Sequence, residues 1–170
     1  DYQYIALRGK INSKRLKKHF LNMDNKLVSL SKLFKKKVII CIHPNDNLNL
    51  KKKIYNKFSV KQFQTKKYIM NSLLVLVTES SAAIDAIINY KPLLSYTSDC
   101  FDDNQKFHNQ HYVNELGIPV LDIDSPINNM PKKQRILKLN KKKYNNYIKK
   151  YIEPDNKELP GHLKFSKIII

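Results

Sequence analysis

Short apolar runs alternate along the chain with longer stretches of helical period, and this alternation predicts βαβ units built into a parallel sheet. The apolar runs fall at 4–7, 38–43, 73–78, 93–96 and 119–122. Between them, the spacing of apolar side chains predicts helices at 13–36 (broken near 22–25), 48–57, 65–72, 81–90 and 107–116, with a last one at 132–151. Two runs, V-I-I-C-I at 38–42 and L-L-V-L-V at 73–77, are apolar without alternation, as strands covered on both faces should be, so they are expected at the centre of the sheet. Gly117 stands where the 107–116 helix needs a left-handed terminating residue, and Pro92 stands at the mouth of the next strand. The expected class is α/β: a Rossmann-like three-layer domain over 1–153 with about five parallel strands, followed by a tail at 154–170.

Composition narrows this picture. With 170 residues, 42% of them hydrophobic, the chain can bury a core, which excludes disorder, collagen and a disulfide miniprotein. Its 32 Lys plus Arg against 14 Asp plus Glu give a net charge of +18, a field that attracts phosphates, nucleic acid or anionic lipid. The charge is uneven: 8–37 and 132–150 are strongly basic, whereas 69–103 holds one basic residue, Lys91, against five acidic ones. Cys41 and Cys100 form no C-x-x-C pair, and His43 near Cys41 leaves too few ligands for zinc. With no secretory leader and no apolar run of spanning length, a reduced, cytoplasmic setting is expected.

Ligands of open parallel sheets gather at the carboxyl ends of the strands. Two such ends carry suitable chemistry. After V-I-I-C-I comes His43, whose ring nitrogen can donate to a phosphate oxygen, and Pro44, which fixes the turn. After L-L-V-L-V comes Thr78-Glu79-Ser80-Ser81, running into a helix whose first N–H groups and positive dipole end suit an anion, with no capping box to occupy those donors. Ala82 and Ala83 leave room for close approach. The blander alternatives are a strand-capping histidine and an ordinary serine cap.

Taken together, H-P followed by T-E-S-S-x-x-x-D-x-x-x-x-x-K-P, each piece preceded by an apolar strand, resembles the donor-binding domain of GT-B-fold transferases of bacterial surface polysaccharides. That group includes sialyl- and polysialyltransferases, Kdo transferases of capsule synthesis and CDP-glycerol glycerophosphotransferases. The resemblance spans about 38–124, and more loosely 2–8. It implies that His43 contacts the donor phosphate with Pro44 shaping its loop. It also implies that Ser80 and Ser81 bind that phosphate or the ribose, and that Glu79 faces the nucleoside. Asp85 would orient the serine loop or pair with Lys91, and Lys91-Pro92 would be architectural. Arg8 is a further candidate for donor phosphate, because a guanidinium meets it bidentately. The donor implied is nucleotide-activated, with cytidine favoured; no cofactor and no metal are expected. Asp122-Ile123-Asp124 has the spacing of a cation motif but ends a strand before Ser125-Pro126.

Enzymes of this kind have two Rossmann-like halves, with the catalytic base usually on the N-terminal one. A chain of 170 residues starting at Asp1 has room for one half, so it is expected to be the donor half of a longer transferase with its base elsewhere. Asp99, Asp102, Asp103, His108 and His111 follow a strand end and are candidates for the cleft border. The resemblance further implies a glycan or lipid-linked acceptor at the inner face of the cytoplasmic membrane. The 132–151 helix, with Leu137, Tyr144, Ile148 and Tyr151 beside lysines, fits an anionic membrane surface or a helix packed on its own domain. A nucleic-acid module using Tyr144, Tyr147 and Tyr151 is the alternative from another class, weakened by the absence of any recognised motif. Half of a nucleotide-sugar epimerase is a further alternative.

Overall fold

The computed structural model describes residues 13–78 and 80–153. Helix α1 (Ser13–Phe34) opens it with a stripe at helical period: Leu16, Met23, Leu27, Leu30 and Phe34 are all buried. Because that stripe runs straight through 22–25, the expected break does not occur. Asn22 is a contact rather than a breaker, its side-chain amide donating to Asp124 at 2.8 Å.

There follow β1 (Ile39–Ile42), α2 (Leu48–Ile54), β2 (Ser59–Gln62), α3 (Thr65–Met70), β3 (Val75–Val77), α4 (Ala82–Ile88), β4 (Leu93–Thr97), α5 (Asp103–Leu116) and β5 (Val120–Asp122). A 3-10 turn (Ile127–Asn129), α6 (Lys133–Leu137), α7 (Lys141–Tyr147) and a π-helical turn (Ile148–Ile152) complete it. The chain is thus mixed α/β. The expected strand at 4–7 and the tail at 154–170 lie outside the described residues.

Among the described residues every strand pairing is parallel, and their strands form two sheets, with no sheet of five: β1 with β2, and β3-β4-β5 in that order. The expected centre is also displaced. The middle strand is β4, where Leu93, Leu94 and Ser95 are successively buried, whereas 73–77 supplies an edge of its sheet and Ile39 of β1 is 39% exposed. An unbroken apolar run shows that side chains can be buried, not how many neighbours the strand has. Strand β2, S-V-K-Q, has no apolar run and only Val60 buried, which is all a strand with one neighbour requires.

The three-stranded sheet is covered on both faces. Adjacent residues of a strand point oppositely; accordingly Leu93 packs with Val77, Ala86, Leu116 and Tyr144, while Leu94 packs with Leu27, Leu30, Leu121 and Ile136. Val38 and Ile40 of the β1 segment and Leu74 and Leu76 of the β3 segment border this second cluster, beneath α1. Helix α5 is pinned to β4 through the buried Asn109, which accepts from Ser95 Oγ and donates to the Tyr96 carbonyl at 2.6 Å. Gly117 ends α5 in the left-handed region, φ 66°, as its position in the sequence predicts.

The helix expected over 132–151 is divided. Lys138 is extended, and Asn140 starts a new helix by accepting the Lys143 N–H at 3.1 Å. Most of its apolar stripe turns inward: Ile136, Tyr144 and Tyr147 are buried and Leu137 and Ile148 pack on the two cores, while Tyr151 stays 42% exposed. Lys141, Lys142, Lys149 and Lys150 remain exposed. No helix of the described residues is long and apolar enough to cross a membrane.

Candidate functional site

His43 follows the last residue of β1 and is exposed, as is Pro44. Its ring is oriented by the loop it begins: Nδ1 accepts the Asn45 N–H at 3.1 Å, which leaves Nε2 to carry the proton of the neutral imidazole. The loop is strapped to the neighbouring strand by one side chain. Gln62, the last residue of β2, places Nε2 3.3 Å from the His43 carbonyl, 2.7 Å from that of Pro44 and 3.0 Å from that of Asp46. Asp46 in turn accepts the His43 N–H at 3.1 Å and pairs with the buried Lys51 at 3.6 Å. A donor therefore stands at the carboxyl end of a parallel strand on a frame with little slack.

Ser80 and Ser81 lie after β3, both exposed, with Ser81 capping α4 without a side-chain bond. The open row of N–H groups expected here is partly taken. Ser80 Oγ accepts from Ala82 N at 3.2 Å, its carbonyl from Ala83 N at 2.9 Å, and the Ser81 carbonyl from Ile84 N at 3.0 Å. What this turn has left to offer a ligand is thus its hydroxyls, chiefly that of Ser81, more than the helix start. Arg8 and Glu79 lie outside the described residues. Asp85 and Lys91 form no ion pair; the Lys91 carbonyl instead accepts the Tyr144 hydroxyl at 3.0 Å. No hydrogen bond among the described residues joins the His43 loop to the serine turn.

Comparison with family models, with curated proteins and with solved structures gives no match. The site therefore rests on its own geometry.

The richest polar cluster is one that sequence reasoning missed. It lies where β4 and β5 end against α1. Asp124 accepts from Ser98 Oγ at 2.9 Å, the Asp99 N–H at 2.7 Å and Asn22 at 2.8 Å. Having given its proton to Asp124, Ser98 Oγ accepts from His19 Nδ1 at 2.9 Å and from the Cys100 N–H at 3.2 Å. That uses the full capacity of a hydroxyl. Although His, Ser and Asp meet here, the order is wrong for nucleophilic catalysis: His19 donates to the serine and cannot take its proton. The cluster is structural. Lys26, buried on the same face of α1, donates to the Pro126 carbonyl at 3.0 Å. Desolvation lowers its pKa against the pull of Asp122 and Asp124.

Burial raises the Asp124 carboxyl, but its three donors and the charge of His19 outweigh that and hold it below its ordinary 3.8. His19 is lowered from 6.5, mainly by desolvation, with Asp124 opposing. A histidine whose folded pKa is depressed resists protonation only in the folded state, so stability should fall as pH drops below about 6.5. The limiting slope is about 1.4 kcal/mol per pH unit. Urea midpoints measured from pH 7.5 to 5 should show this decline, and His19→Gln, which keeps a donor for Ser98, should flatten it.

The acidic loop serves the fold. Asp102 caps α5 in a capping box with Gln105, the Asp99 carbonyl holds the Arg15 guanidinium at 2.7 Å, and Asp103 lies in the first turn of α5. His108 is exposed beside Phe107, whereas His111 packs among Tyr112, Tyr147 and Tyr151. Asp122 Oδ1 accepts the Asp124 N–H at 2.9 Å, so both carboxylates of the cation-spaced pair are engaged by the protein. A groove of about 500 Å³ is lined by Lys66, Ile84, Ile88, Tyr151 and Ile152, none of them a predicted donor-site residue, though Tyr151 is one of the tyrosines of the nucleic-acid alternative. Both cysteines are free, and burial raises their thiols, which disfavours the thiolate.

Proposed function

We propose that this chain is the nucleotide-donor half of a metal-independent GT-B-type glycosyl- or glycerophosphotransferase acting in surface-polysaccharide synthesis. The observation that carries the reading is His43: an exposed ring at the carboxyl end of a parallel strand, its Nδ1 occupied and its Nε2 left as a donor. The hydroxyls of Ser80 and Ser81, at the end of another parallel strand, supply further donors. Together they are suited to the charge that develops on a departing nucleotide phosphate. The two ladders border a shared core under α1, and in this reading they belong to one Rossmann-like layer whose β1 and β3 ends would flank the ligand. The catalytic base would reside on a separate N-terminal half, together with the site for a glycan or lipid-linked acceptor.

Contact with the inner membrane face would be electrostatic. Tyr144 and Tyr147 are spent in the core and Tyr151 alone of the three stays exposed, whereas Lys141, Lys142, Lys149 and Lys150 face solvent. Such contact is weakened by salt.

Calorimetric titration with CMP, CDP, UMP, UDP and GDP at about 150 mM salt, with a short single-stranded oligonucleotide as comparator, tests the reading. Selective, saturable binding of one mononucleotide is expected. His43→Ala, and Ser80→Ala with Ser81→Ala, should each weaken it by about 1–3 kcal/mol without loss of fold. Unchanged affinity in both variants removes the site, and salt-sensitive oligonucleotide binding without mononucleotide preference replaces the reading with a nucleic-acid module.

A further inference from the structure

Among the described residues three non-glycines have positive φ: Lys35 at 51°, Phe63 at 61° and Tyr90 at 49°. Two are explained by helix termination. The N–H of Lys36 reaches back to the Ser31 carbonyl, and that of Lys91 to the Ala86 carbonyl, the closing bonds of chains leaving a helix through a left-handed residue. Phe63 has no such reason. It lies in the two-residue connection between β2 and α3, and a bulky side chain in this region is a backbone outlier of the kind that collects at ligand sites.

Its ring is also conspicuous in place and exposure. Phe63 is 76% exposed, the most open of the large hydrophobic residues among those described. In the β1-β2 ladder Ile42 pairs with Gln62, the last pair of two strands about 4.8 Å apart, so His43 and Phe63 are the first residues past the paired ends of the two strands. Gln62, immediately before Phe63, is the side chain that straps the His43 loop. The same short segment thus fixes the His43 loop and exposes an aromatic side chain at the same end of the ladder.

We infer that Phe63 is the stacking platform for the base of a nucleotide whose phosphate is held at His43. This rests on the proposed donor site and deepens it: the ligand must carry an aromatic base, and a sugar phosphate alone engages only half of the site. Stacking on an aromatic face tolerates any base, so selectivity among bases would come from other groups.

The chain contains no tryptophan, which makes Phe63→Trp a reporter as well as a conservative variant. CMP, UMP, GMP and ribose 5-phosphate would be titrated into the wild-type chain, Phe63→Ala, Phe63→Trp and His43→Ala. Phe63→Ala is expected to weaken the preferred nucleotide about 5- to 150-fold, the equivalent of about 1–3 kcal/mol for one stacked base, and to leave ribose 5-phosphate unchanged. Phe63→Trp should retain affinity, with indole emission quenched by the nucleotide and not by ribose 5-phosphate. Phe63→Gly should bind nucleotide as poorly as Phe63→Ala yet melt higher than it, because glycine accepts the positive φ. Weakening by His43→Ala, with wild-type affinity in Phe63→Ala or an unresponsive indole, overturns the stacking role alone. Absence of mononucleotide binding by the wild-type chain overturns both readings.

Discussion

Replacing Tyr144 by alanine should cost the fold about 3–5 kcal/mol, the range for deleting a large buried ring. For a chain of this length that lowers the melting temperature by roughly 6–20 °C. Tyr144 is 1% exposed, packs with Leu93 and Leu116, and gives its hydroxyl to the Lys91 carbonyl at 3.0 Å. Tyr144→Phe loses only that bond and should cost about 1 kcal/mol. Thermal melts of the two variants decide between core and surface roles for the last helices. A Tyr144→Ala protein that melts like the wild type but leaves liposomes would mean that the ring meets lipid. The expected result is instead a weakened fold, and loss of liposome binding only on reversing the exposed lysines.

Asp124→Ala should be the next most damaging change, at about 2–4 kcal/mol. It strips the acceptor from Ser98, Asn22 and the Asp99 N–H, and hydrogen bonds to a charged group contribute about 1.5–3 kcal/mol each, discounted here for partial exposure. It also removes an opposing charge near the buried Lys26. The pH dependence should change in a defined way. With its pKa depressed, Asp124 stabilises the fold above about 3.8, a contribution lost as pH falls through its lower folded value. That acid limb should disappear in the variant. His19, no longer supported by the Asp124 charge, should sit lower still, so the loss that begins near pH 6.5 should continue to lower pH. Urea titrations from pH 7.5 to 3 measure both limbs; limbs identical to wild type would show that the cluster does not hold α1.

The α/β class was legible because helix and strand periods differ and because Gly117 and Pro92 punctuate them. Strand count and order were less so. S-V-K-Q at β2 needs one buried valine, and four residues with one apolar member carry no periodic signal. The capping box D-D-N-Q at 102–105 was readable and would have moved the start of α5 from 107 to Asp103. The interruption at Lys138 to Asn140 was masked by lysines compatible with either state. For the site, His43 and the serines were placed at strand ends from local pattern. The strap through Gln62, the exposure of Phe63 and the cluster around Asp124 were beyond reach, because each joins residues far apart in sequence. The hydroxyl of Ser98 illustrates this: its partners come from α1 and from the end of β5.

The hydrogen bonds that tie α1 to the ends of β4 and β5 span 79 to 102 positions of chain: Arg15 to Asp99, His19 to Ser98, Asn22 to Asp124 and Lys26 to Ser125. A helix forms from local bonds in about a microsecond, but loop closures of this length come late in folding. Helix α1 can therefore form from local bonds alone, but these four bonds cannot close until the ends of β4 and β5 are in place. Until then its apolar stripe is uncovered, and the cluster around Asp124 works as a latch that closes when the sheet is complete.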